Sequence, residues 1–424
     1  MCIEHGRWKL EVRSWSATHR RFQSSNLQIP TSNEFVICHL SFYNVPVRIV
    51  MISKACVVGQ YQTKLEELAR QPDVELTVVV PPFWRDERGI VPLEHAHTQG
   101  YTLLVEPIVF NGRFHLHFYP TLPKILDRVR PHLVHIDEEP YNFATYHAMR
   151  AARRVRAKSL FFTWQNLLRR YPPPFRWTES YVLRHADYAI AGNAEAVDIL
   201  RAKEYRGSLC VVPQFGVDPN IFQPSNSPTT QPPNHPTTQL LHIGYIGRLV
   251  KQKGVDVLLR AVAGMKGDWE LRLLGSGPAK ANLQSLAREL GIQARVHFDA
   301  PRPSAEMPTY LQQLDVVVLP SQTRPNWKEQ FGRVLIEAMA CEVPVIGSTC
   351  GEIPNVIGDA GLVFPENDAD ALRTHIVALQ HDPARRIELG KRGRARVLAH
   401  FTQARVAAET YAAYCDVVGK QVDK

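Results

Sequence analysis

The feature that most constrains this chain is an alternation of short apolar runs with amphipathic segments, which starts at residue 47. "VRIVMIS" has the pattern of a buried strand, "YQTKLEELARQ" that of an amphipathic helix, and "VELTVVVPP" again that of a strand. The same order continues as far as "LCVVPQ". Strands that alternate with helices form a parallel sheet with helices on both faces. The sequence therefore predicts a doubly wound α/β domain over residues 47–223.

The same rhythm restarts after a segment rich in Pro, Thr and Asn, "PSNSPTTQPPNHPTTQ", which spans residues 224–239. Such a composition is typical of a flexible linker or loop. Beyond it, "LLHIGYIG" and "WELRLLG" read as strands and "GVDVLLRAVAGM" as a helix. We therefore predict a second Rossmann-like domain over residues 240–400, facing the first across a cleft. Ligands of such sheets bind beyond the carboxyl ends of the strands.

The two ends of the chain differ from these domains. Residues 1–46 show neither a helix period nor a strand period, and we expect an extension that packs poorly. An over-long translation start is one explanation for it. At the other end, "QARVAAETYAAYCDVV" predicts a long helix within residues 401–424.

Composition excludes several classes of protein. Hydrophobic residues make up 45% of the chain and charged residues 21%, as in a soluble globular protein. No apolar run approaches the roughly 20 residues that a membrane helix needs. Seven cysteines without a C-x-x-C pair disfavour a disulfide framework or a zinc site, and they favour a reducing cytoplasm.

The net charge of +9 is partly local. A solvated helix face explains this basic cluster better than contact with an anionic membrane or polyanion, although a peripheral contact at the inner membrane face stays open. We predict no nucleic-acid partner, because no module of interleaved aromatic and basic residues occurs. The cluster comprises Arg150, Arg153, Arg154, Arg156 and Lys158.

Glycines and cations follow two strands of the second domain. "GYIGRLVKQKG" places Gly247, Arg248 and Lys253 between a strand and a helix, and "LLGSGP" places Gly275 and Gly277 after the next strand. Glycine permits a tight turn with close backbone approach, while Arg and Lys supply positive charge. Each motif alone is also compatible with an ordinary turn.

A third turn, in "PSQTRPNWKEQFGRVLIEAMA", leads into a helix that is apolar nearly all round. Phe331, Gly332 and Arg333 stand where this helix begins, and a helix N-terminus suits a phosphate. Glu329 precedes the helix. We expect its side chain to project from the loop into the mouth of the site, the opening beyond the carboxyl ends of the strands where these turns meet. A fourth turn, "STCGEIP", contains Gly351.

Glu337 is a carboxylate inside this buried helix, where it needs a partner. Carboxylates accept hydrogen bonds from pairs of neighbouring hydroxyls. We predict that Glu337 binds the ribose of a nucleotide and that Glu329 faces a hexose. The alternative is that Glu337 pairs with Arg248 or Arg333 and binds nothing.

Together these motifs resemble the retaining glycosyltransferases of family four, which have the GT-B fold. The resemblance rests on Glu329 and Glu337 around Phe331 and Gly332, and on "GRLVKQKG", "EAMACEVPVIGS" and "GDAGLVF". It covers about residues 47–420 and is densest over 240–365. It implies a nucleotide-sugar donor held by the second domain, an acceptor held by the first, and a final helix that crosses back onto the first domain.

On the donor side the resemblance assigns a role to each matching residue. Arg248 and Lys253 match the pair that neutralises the diphosphate, and Glu329 matches the carboxylate that faces the hexose. Phe331 and Gly332 match backbone contacts to that sugar, and Glu337 matches the ribose ligand. We add Gly247, Gly275, Gly277 and Arg333 as donor-binding candidates.

On the acceptor side the resemblance is weaker. Gly59 resembles the glycine of the first loop, near the transferred sugar, and Glu139 is a candidate contact to the acceptor. Many relatives place a His after a strand where this chain has Trp164, Gln165 and Asn166. Of these, Trp164 and Asn166 are candidates for the acceptor side. His135 is another candidate, although a core histidine explains it better.

Two further departures lie beyond the buried helix. Family members usually carry Gly where this chain has Glu342, and "CGEIPN" has Asn355 where the family usually has Glu.

The predicted activity is metal-independent hexosyl transfer with retention, to a glycan, lipid-linked or small-molecule acceptor, without a cofactor. Asp368-Ala-Asp370 is explained by helix capping rather than by metal binding. Three alternatives remain: an epimerase of the same fold, a sugar phosphorylase, and a non-catalytic protein that binds nucleotide sugars. The oligomeric state is not predicted.

Overall fold

The computed structural model describes residues 46–86, 89–225 and 240–420. The predicted N-terminal extension lies outside these ranges except for residue 46, and the predicted linker except for residues 224 and 225. Within the described ranges, no helix combines the length and the apolar character needed to cross a membrane. The five cysteines in these ranges are free thiols.

The N-terminal lobe is built on a seven-stranded parallel sheet in the order β5-β2-β1-β6-β7-β8-β9, with β3 and β4 forming a separate antiparallel hairpin. Its strands are β1 (Val47–Ile52), β2 (Val74–Val80), β3 (Phe83–Asp86), β4 (Gly89–Pro92), β5 (Thr102–Val105), β6 (Leu133–Ile136), β7 (Lys158–Thr163), β8 (Tyr188–Ala191) and β9 (Ser208–Val211). Its helices are α1 (Gly59–Ala69), α2 (Leu122–Val129), α3 (Phe143–Arg154), α4 (Phe175–His185) and α5 (Ala194–Ala202).

The C-terminal lobe is built on a six-stranded parallel sheet in the order β12-β11-β10-β13-β14-β15. Its strands are β10 (Leu241–Ile246), β11 (Trp269–Leu274), β12 (Val296–Asp299), β13 (Val316–Leu319), β14 (Val345–Ser348) and β15 (Leu362–Phe364). The helices that follow along the chain are α6 (Val255–Ala263), α7 (Lys280–Glu289), α8 (Met307–Leu311), α9 (Arg333–Ala340), α10 (Ile353–Ile357), α11 (Ala369–His381), α12 (Pro383–His400) and α13 (Gln403–Val418).

Each sheet has its own apolar core, and the two doubly wound Rossmann-like lobes confirm the predicted fold class. The apolar runs become central strands because both of their faces are covered: β1 is almost wholly buried, and Ile49 lies beside Leu76 and Leu133 on the neighbouring strands. The strand order reverses beside β1 in one sheet and beside β10 in the other. These two reversals are the places where ligands bind to such sheets.

The chain crosses between the lobes in two adjacent segments. The N–H of Val217 donates to the carbonyl of Phe401 at 2.9 Å, and the N–H of Gln403 donates back to the carbonyl of Val217 at 3.0 Å. Beyond this crossing α13 packs against α1, and the hydroxyl of Tyr414 lies 2.7 Å from Nδ1 of His135. His135 is fully buried, and burial lowers its pKa well below the usual value, as for a core histidine.

Two local features bear on motifs that the sequence singled out. Asp368 caps α11, since its Oδ1 accepts from the N–H groups of Asp370 at 3.1 Å and Ala371 at 2.8 Å, which confirms the capping interpretation. Glu342 has a φ of +60° and follows α9 in a Schellman motif, with the N–H of Val343 donating to the carbonyl of Ala338. Glu342 thus takes the left-handed conformation that a glycine would adopt without strain.

Candidate functional site

Four turns meet at the carboxyl edge of the six-stranded sheet, after β10, β11, β13 and β14. They pack backbone against backbone. A Cβ on Gly275 would lie 1.9 Å from the carbonyl oxygen of Gly247, and one on Gly351 would lie 2.1 Å from that of Glu329. Gly277, at φ +155°, follows in the same turn as Gly275. Glycine is therefore what lets the four predicted turns converge on one mouth.

Lys253 and Glu329 meet in this mouth. The Nζ of Lys253 lies 2.5 Å from Oε2 of Glu329, and the hydroxyl of Ser321 donates to the same oxygen at 2.7 Å. The side chain of Glu329 is only 10% exposed, so it sits inside the mouth and not on the surface. The structure thus brings together one predicted cation and one predicted carboxylate.

Arg248 lies on the turn that begins at Gly247 and also carries Lys253. Its side chain is exposed, and its backbone carbonyl accepts a hydrogen bond of 2.7 Å from the buried hydroxyl of Tyr245. This bond fixes the backbone of the turn. The predicted contact of the Arg248 guanidinium with a diphosphate stays a prediction.

Glu337 lies about one turn into α9 and pairs with Arg333, whose Nε is 2.9 Å from Oε1 of Glu337. Burial raises the pKa of Glu337, and the neighbouring guanidinium opposes that rise. The sequence had left this pairing open as an alternative to nucleotide binding. Because 13% of the Glu337 side chain is still exposed, the role of ribose ligand stays a prediction.

Replacing Glu337 by alanine is expected to weaken UDP or GDP binding about tenfold, because a charged group that accepts from the ribose is lost. Titration calorimetry should also compare each nucleotide with its 2′-deoxy form. If Glu337 accepts from the 2′-hydroxyl, the difference between the two forms shrinks in the variant. Unchanged nucleotide affinity together with a lowered melting temperature would instead show that the carboxylate only pairs with Arg333.

Arg333 also reaches the N-terminal lobe. It donates to Oε1 of Gln60 at 2.7 Å, and its guanidinium lies 4.7 Å from the centre of the Tyr61 ring. Both partners belong to the first turn of α1. The start of α9 is therefore tied to the opposite lobe as well as to Glu337.

The loop that carries Glu329 makes direct hydrogen bonds to the N-terminal lobe. The side-chain amide of Asn166 donates to the carbonyl of Glu329 at 3.2 Å, and that of Asn193 donates to the carbonyl of Gln330 at 2.8 Å. In return, the amide of Gln330 donates to the carbonyl of Trp164 at 3.3 Å. Asn166 was predicted on the acceptor side, whereas sequence reasoning missed Asn193.

Phe331 and Gly332 complete the start of α9. The Phe331 ring lies between those of Trp164 and Phe401, with centroids 5.6 and 5.8 Å away. Gly332, at φ +80°, immediately precedes the helix. The predicted backbone contacts of Phe331 and Gly332 to a sugar stay a prediction.

Glu139 is a buried carboxylate that follows β6. It accepts hydrogen bonds of 2.6 Å from the hydroxyl of Thr163 and 2.8 Å from the N–H of Trp164. Burial raises its pKa to about 7 in spite of these bonds. The bonds connect Glu139 to the segment that touches the Glu329 loop, and its predicted contact to an acceptor is untested.

The raised pKa of Glu139 predicts a pH effect on stability. Between pH 4.5, near its unfolded pKa, and about pH 7, the folded protein holds the proton more tightly than the unfolded chain. The Glu139 contribution to the free energy of unfolding therefore falls as pH rises through this window. We expect Glu139→Gln, which is neutral throughout, to gain stability relative to the wild type from pH 5 to pH 8 in urea titrations. A difference independent of pH would contradict the raised pKa.

Gly59 begins α1 and is buried. Its N–H donates to Oε2 of Glu94 at 2.6 Å, so a carboxylate of the same lobe occupies the helix N-terminus. A Cβ here would lie 2.7 Å from that oxygen. The close approach explains the glycine, and the predicted contact to a transferred sugar stays a prediction.

A buried ionic cluster beside the reversal point of the first sheet was not predicted. Lys54 follows β1 and pairs with Oε2 of Glu138, which follows β6, and Nε2 of His117 lies 3.3 Å from the other oxygen of Glu138. Burial would raise the pKa of Glu138, but Lys54 and His117 outweigh it and lower the pKa to about 2. The signal available in the sequence was a charged residue shortly after each of two strands.

Among the residues that the structure describes, no group of three or more His, Cys, Asp or Glu side chains is arranged to hold a metal ion. The predicted role of Arg248 and Lys253 in neutralising a diphosphate stays a prediction.

Two family models match this chain. Residues 229–396 match the model described as glycosyl transferases group 1, and residues 62–220 match the model described as glycosyltransferase family 4. The first match covers most of the C-terminal lobe and the second most of the N-terminal lobe.

Curated relatives match over part of their length. D-inositol 3-phosphate glycosyltransferase of Corynebacterium aurimucosum is 32% identical over 231 residues, which is 51% of this chain and 54% of the relative. A GDP-mannose-dependent α-(1-6)-phosphatidylinositol monomannoside mannosyltransferase of Mycolicibacterium smegmatis is 35% identical over 156 residues, 35% of this chain and 41% of the relative. The chain thus spans about half the length of the curated relatives it matches.

Solved structures match over nearly their whole length. Sucrose-phosphate synthase of Thermosynechococcus elongatus has a TM-score of 0.66 at 23% identity, over 88% of this chain and 99% of that protein. HepE of Anabaena, solved in complex with UDP, has a TM-score of 0.65 at 17% identity, over 87% of this chain and 100% of that protein. At these identities the likeness shows a shared fold.

Proposed function

Because this chain belongs to family four of the glycosyltransferases, with the GT-B fold, we propose that it moves a hexose from a nucleotide-diphosphate sugar to an acceptor hydroxyl. The donor is placed in the mouth of the C-terminal lobe and the acceptor against the N-terminal lobe. The acceptor classes considered are a glycan, a lipid-linked sugar and a small molecule. The donor is a substrate, and the proposal includes no resident cofactor.

The observation that carries this proposal is the meeting of Lys253 with Glu329 where the four glycine-bearing turns converge. During transfer the anomeric C–O bond to the diphosphate breaks, and negative charge grows on the leaving phosphate. Fixed positive charge placed beforehand at that point stabilises the transition state. Lys253, which pairs with Glu329, and Arg248, which lies on the turn after β10, are proposed to supply this charge without a metal.

Glu329 is proposed to orient the hexose. Its Oε2 already accepts from Lys253 and Ser321, which leaves Oε1 to accept from sugar hydroxyls. The same lysine can then lie between the carboxylate and the diphosphate. This arrangement would hold the anomeric carbon at a fixed distance from the leaving group.

Retention is proposed through attack on the face of the sugar that the diphosphate leaves. The acceptor oxygen forms the new bond to the anomeric carbon, and the proton of that hydroxyl passes to an oxygen of the departing phosphate. No protein nucleophile is required for this step. We also propose a cytoplasmic location, which the free thiols of the described cysteines support.

The test begins with thermal unfolding in the presence of UDP, GDP and their glucose and mannose derivatives. These ligands are chosen because relatives and structural neighbours are described with GDP-mannose, UDP and UDP-glucose. A ligand present at 100 times its Kd should stabilise the protein by about 2.7 kcal/mol. If no nucleotide or nucleotide sugar raises the melting temperature, the proposal is wrong.

The stabilising donor is then incubated with inositol phosphate or lipid-linked acceptors, with and without EDTA, and the product is analysed by NMR. We expect nucleotide release that depends on acceptor, resists EDTA and preserves the anomeric configuration. A new sugar nucleotide formed without acceptor would indicate an epimerase, and binding without any turnover would indicate a non-catalytic protein.

A further inference from the structure

We propose that Asn166 and Asn193 are positioning residues for the donor carboxylate Glu329, so that the N-terminal lobe completes the donor site of the C-terminal lobe. This inference rests on the proposed function. The two asparagines belong to the acceptor lobe, yet they bind the backbone of the donor loop at two successive carbonyls, those of Glu329 and Gln330. They therefore hold the peptide from which the carboxylate side chain projects.

Both amides are buried. Asn166 is 7% exposed and Asn193 is 1% exposed. The bond from Asn166 to Glu329 is buried and the bond from Asn193 to Gln330 is partly buried, so water competes less with them and they favour one position of the loop. The carbonyl of Glu329 also accepts from the N–H of Glu352 at 3.2 Å, which belongs to its own lobe. The carbonyl of Glu329 therefore accepts one hydrogen bond from each lobe.

The orientation of Asn193 is fixed by a second bond. Its Oδ1 caps α5 by accepting from the N–H of Ala196 at 2.8 Å, so its amide group must point away from the helix and toward Gln330. A flipped amide would lose both interactions. The cap therefore holds the Asn193 amide in the orientation in which it donates its hydrogen bond to Gln330.

Asn166 is held through its neighbours in the chain. The N–H of Trp164, two residues earlier, donates to Glu139, and the indole of Trp164 donates to Oε1 of Gln214 at 2.9 Å. The ring of Trp164 also packs against Phe331 on the donor loop. The segment that presents Asn166 is rigid for this reason.

The chemical consequence is a coupling between lobe closure and donor geometry. Lys253 and Ser321 orient the carboxylate of Glu329 from within its own lobe, while the asparagines fix its backbone from the opposite lobe. A displacement of about 1 Å in a reacting group can cost about 100-fold in rate. We therefore expect the Glu329 side chain to be more precisely placed when the acceptor lobe is docked.

Other contacts across the lobes flank this pair without touching the carbonyls of Glu329 and Gln330. Nζ of Lys328 lies 2.5 Å from Oε1 of Glu195, and Arg333 binds Gln60 on the other side. These contacts can hold the lobes together. The asparagines differ from them because they donate to the backbone carbonyls of Glu329, the proposed hexose ligand, and of Gln330, the next residue.

The test uses Asn193→Asp and Asn166→Asp in the full chain. The Asn193→Asp variant keeps a side-chain oxygen that can cap α5, so it loses the donation to Gln330 and retains the helix cap. Asn193→Ser and Asn166→Ser remove the amide without adding a charge. Asn282→Asp, on the exposed face of α7, is the matched control.

We expect each variant to lower kcat about tenfold, with the Kd for UDP or GDP unchanged within about twofold and the melting temperature close to that of the wild type. Hydrogen exchange should become faster in residues 326–333. The control should change none of these quantities. An unchanged kcat, or a rise in Kd that matches the fall in kcat, would overturn the proposal.

Failure of the proposed function would look different. If the wild type transfers no sugar, the exchange measurement still reports whether the asparagines hold the loop. Faster exchange in residues 326–333 then supports the structural part of the inference, and unchanged exchange overturns it.

Discussion

Replacing Glu329 by alanine is expected to lower transfer about 1000-fold while leaving the affinity for UDP or GDP within about twofold of the wild type. We propose that this carboxylate orients the hexose, so its loss should leave the anomeric carbon poorly positioned. The nucleotide keeps its contacts, because Lys253 is released from its 2.5 Å ion pair and stays available to the diphosphate. Steady-state kinetics and titration calorimetry measure the two quantities separately.

Two controls make this result interpretable. Glu289→Ala removes an exposed carboxylate from α7 and should leave both quantities unchanged. Glu329→Gln keeps the oxygen that faces the sugar but not the charge that holds Lys253, and it should retain more activity than the alanine variant. A Glu329→Ala enzyme with more than a tenth of the wild-type rate, or with a lost affinity for both nucleotides, would contradict the assignment.

The sequence was sufficient to predict that Lys253 and Glu329 lie in the same mouth, although they are 76 positions apart. Long apolar runs are compatible with central strands of a parallel sheet, and the carboxyl ends of such strands share one edge. Loops that follow neighbouring strands therefore lie at the same edge of the sheet. Topology is enough to predict that the loops carrying Lys253 and Glu329 lie close together, and the structure adds the contact between the two side chains.

The sequence reduced the possible partners of the Glu337 carboxylate to a few, but it could not select one of them. Arg333 stands four positions before it, a spacing that puts both side chains on one face of a helix. The structure shows their pairing, whereas the sequence offered this pairing and a nucleotide as alternatives. A short-range pattern identifies the partners that are within reach, and it cannot weigh an ion pair against a ligand.

The contacts between the lobes were beyond reach of sequence reasoning. Asn193 reads only as a helix cap, and its bond to Gln330 depends on where the opposite lobe lies. The hairpin of β3 and β4 was missed for a different reason, because short strands carry little periodicity. The pairing of Lys54 with Glu138 could have been predicted by the same topological argument as that of Lys253 with Glu329, because Lys54 and Glu138 follow the neighbouring strands β1 and β6.

Replacing Lys253 by alanine is expected to lower kcat/KM by about 100- to 1000-fold, because it removes positive charge from the point where, in the proposed reaction, the leaving diphosphate gains negative charge. The affinity for UDP or GDP should fall as well, by about tenfold, since the ground-state nucleotide is also an anion. The matched control is Lys251→Ala, which removes an exposed lysine two positions earlier in the same turn.

The ion pair between Lys253 and Glu329 also predicts how the double variant should behave. Because Nζ of Lys253 and Oε2 of Glu329 lie 2.5 Å apart, the two residues should act as one unit, and the double alanine variant should be little worse than the more damaged single variant. Fully multiplicative losses would mean that the two side chains serve separate sites. Equal losses in the Lys251 and Lys253 variants would mean that the turn supplies only diffuse charge, and the diphosphate would then have to be placed elsewhere.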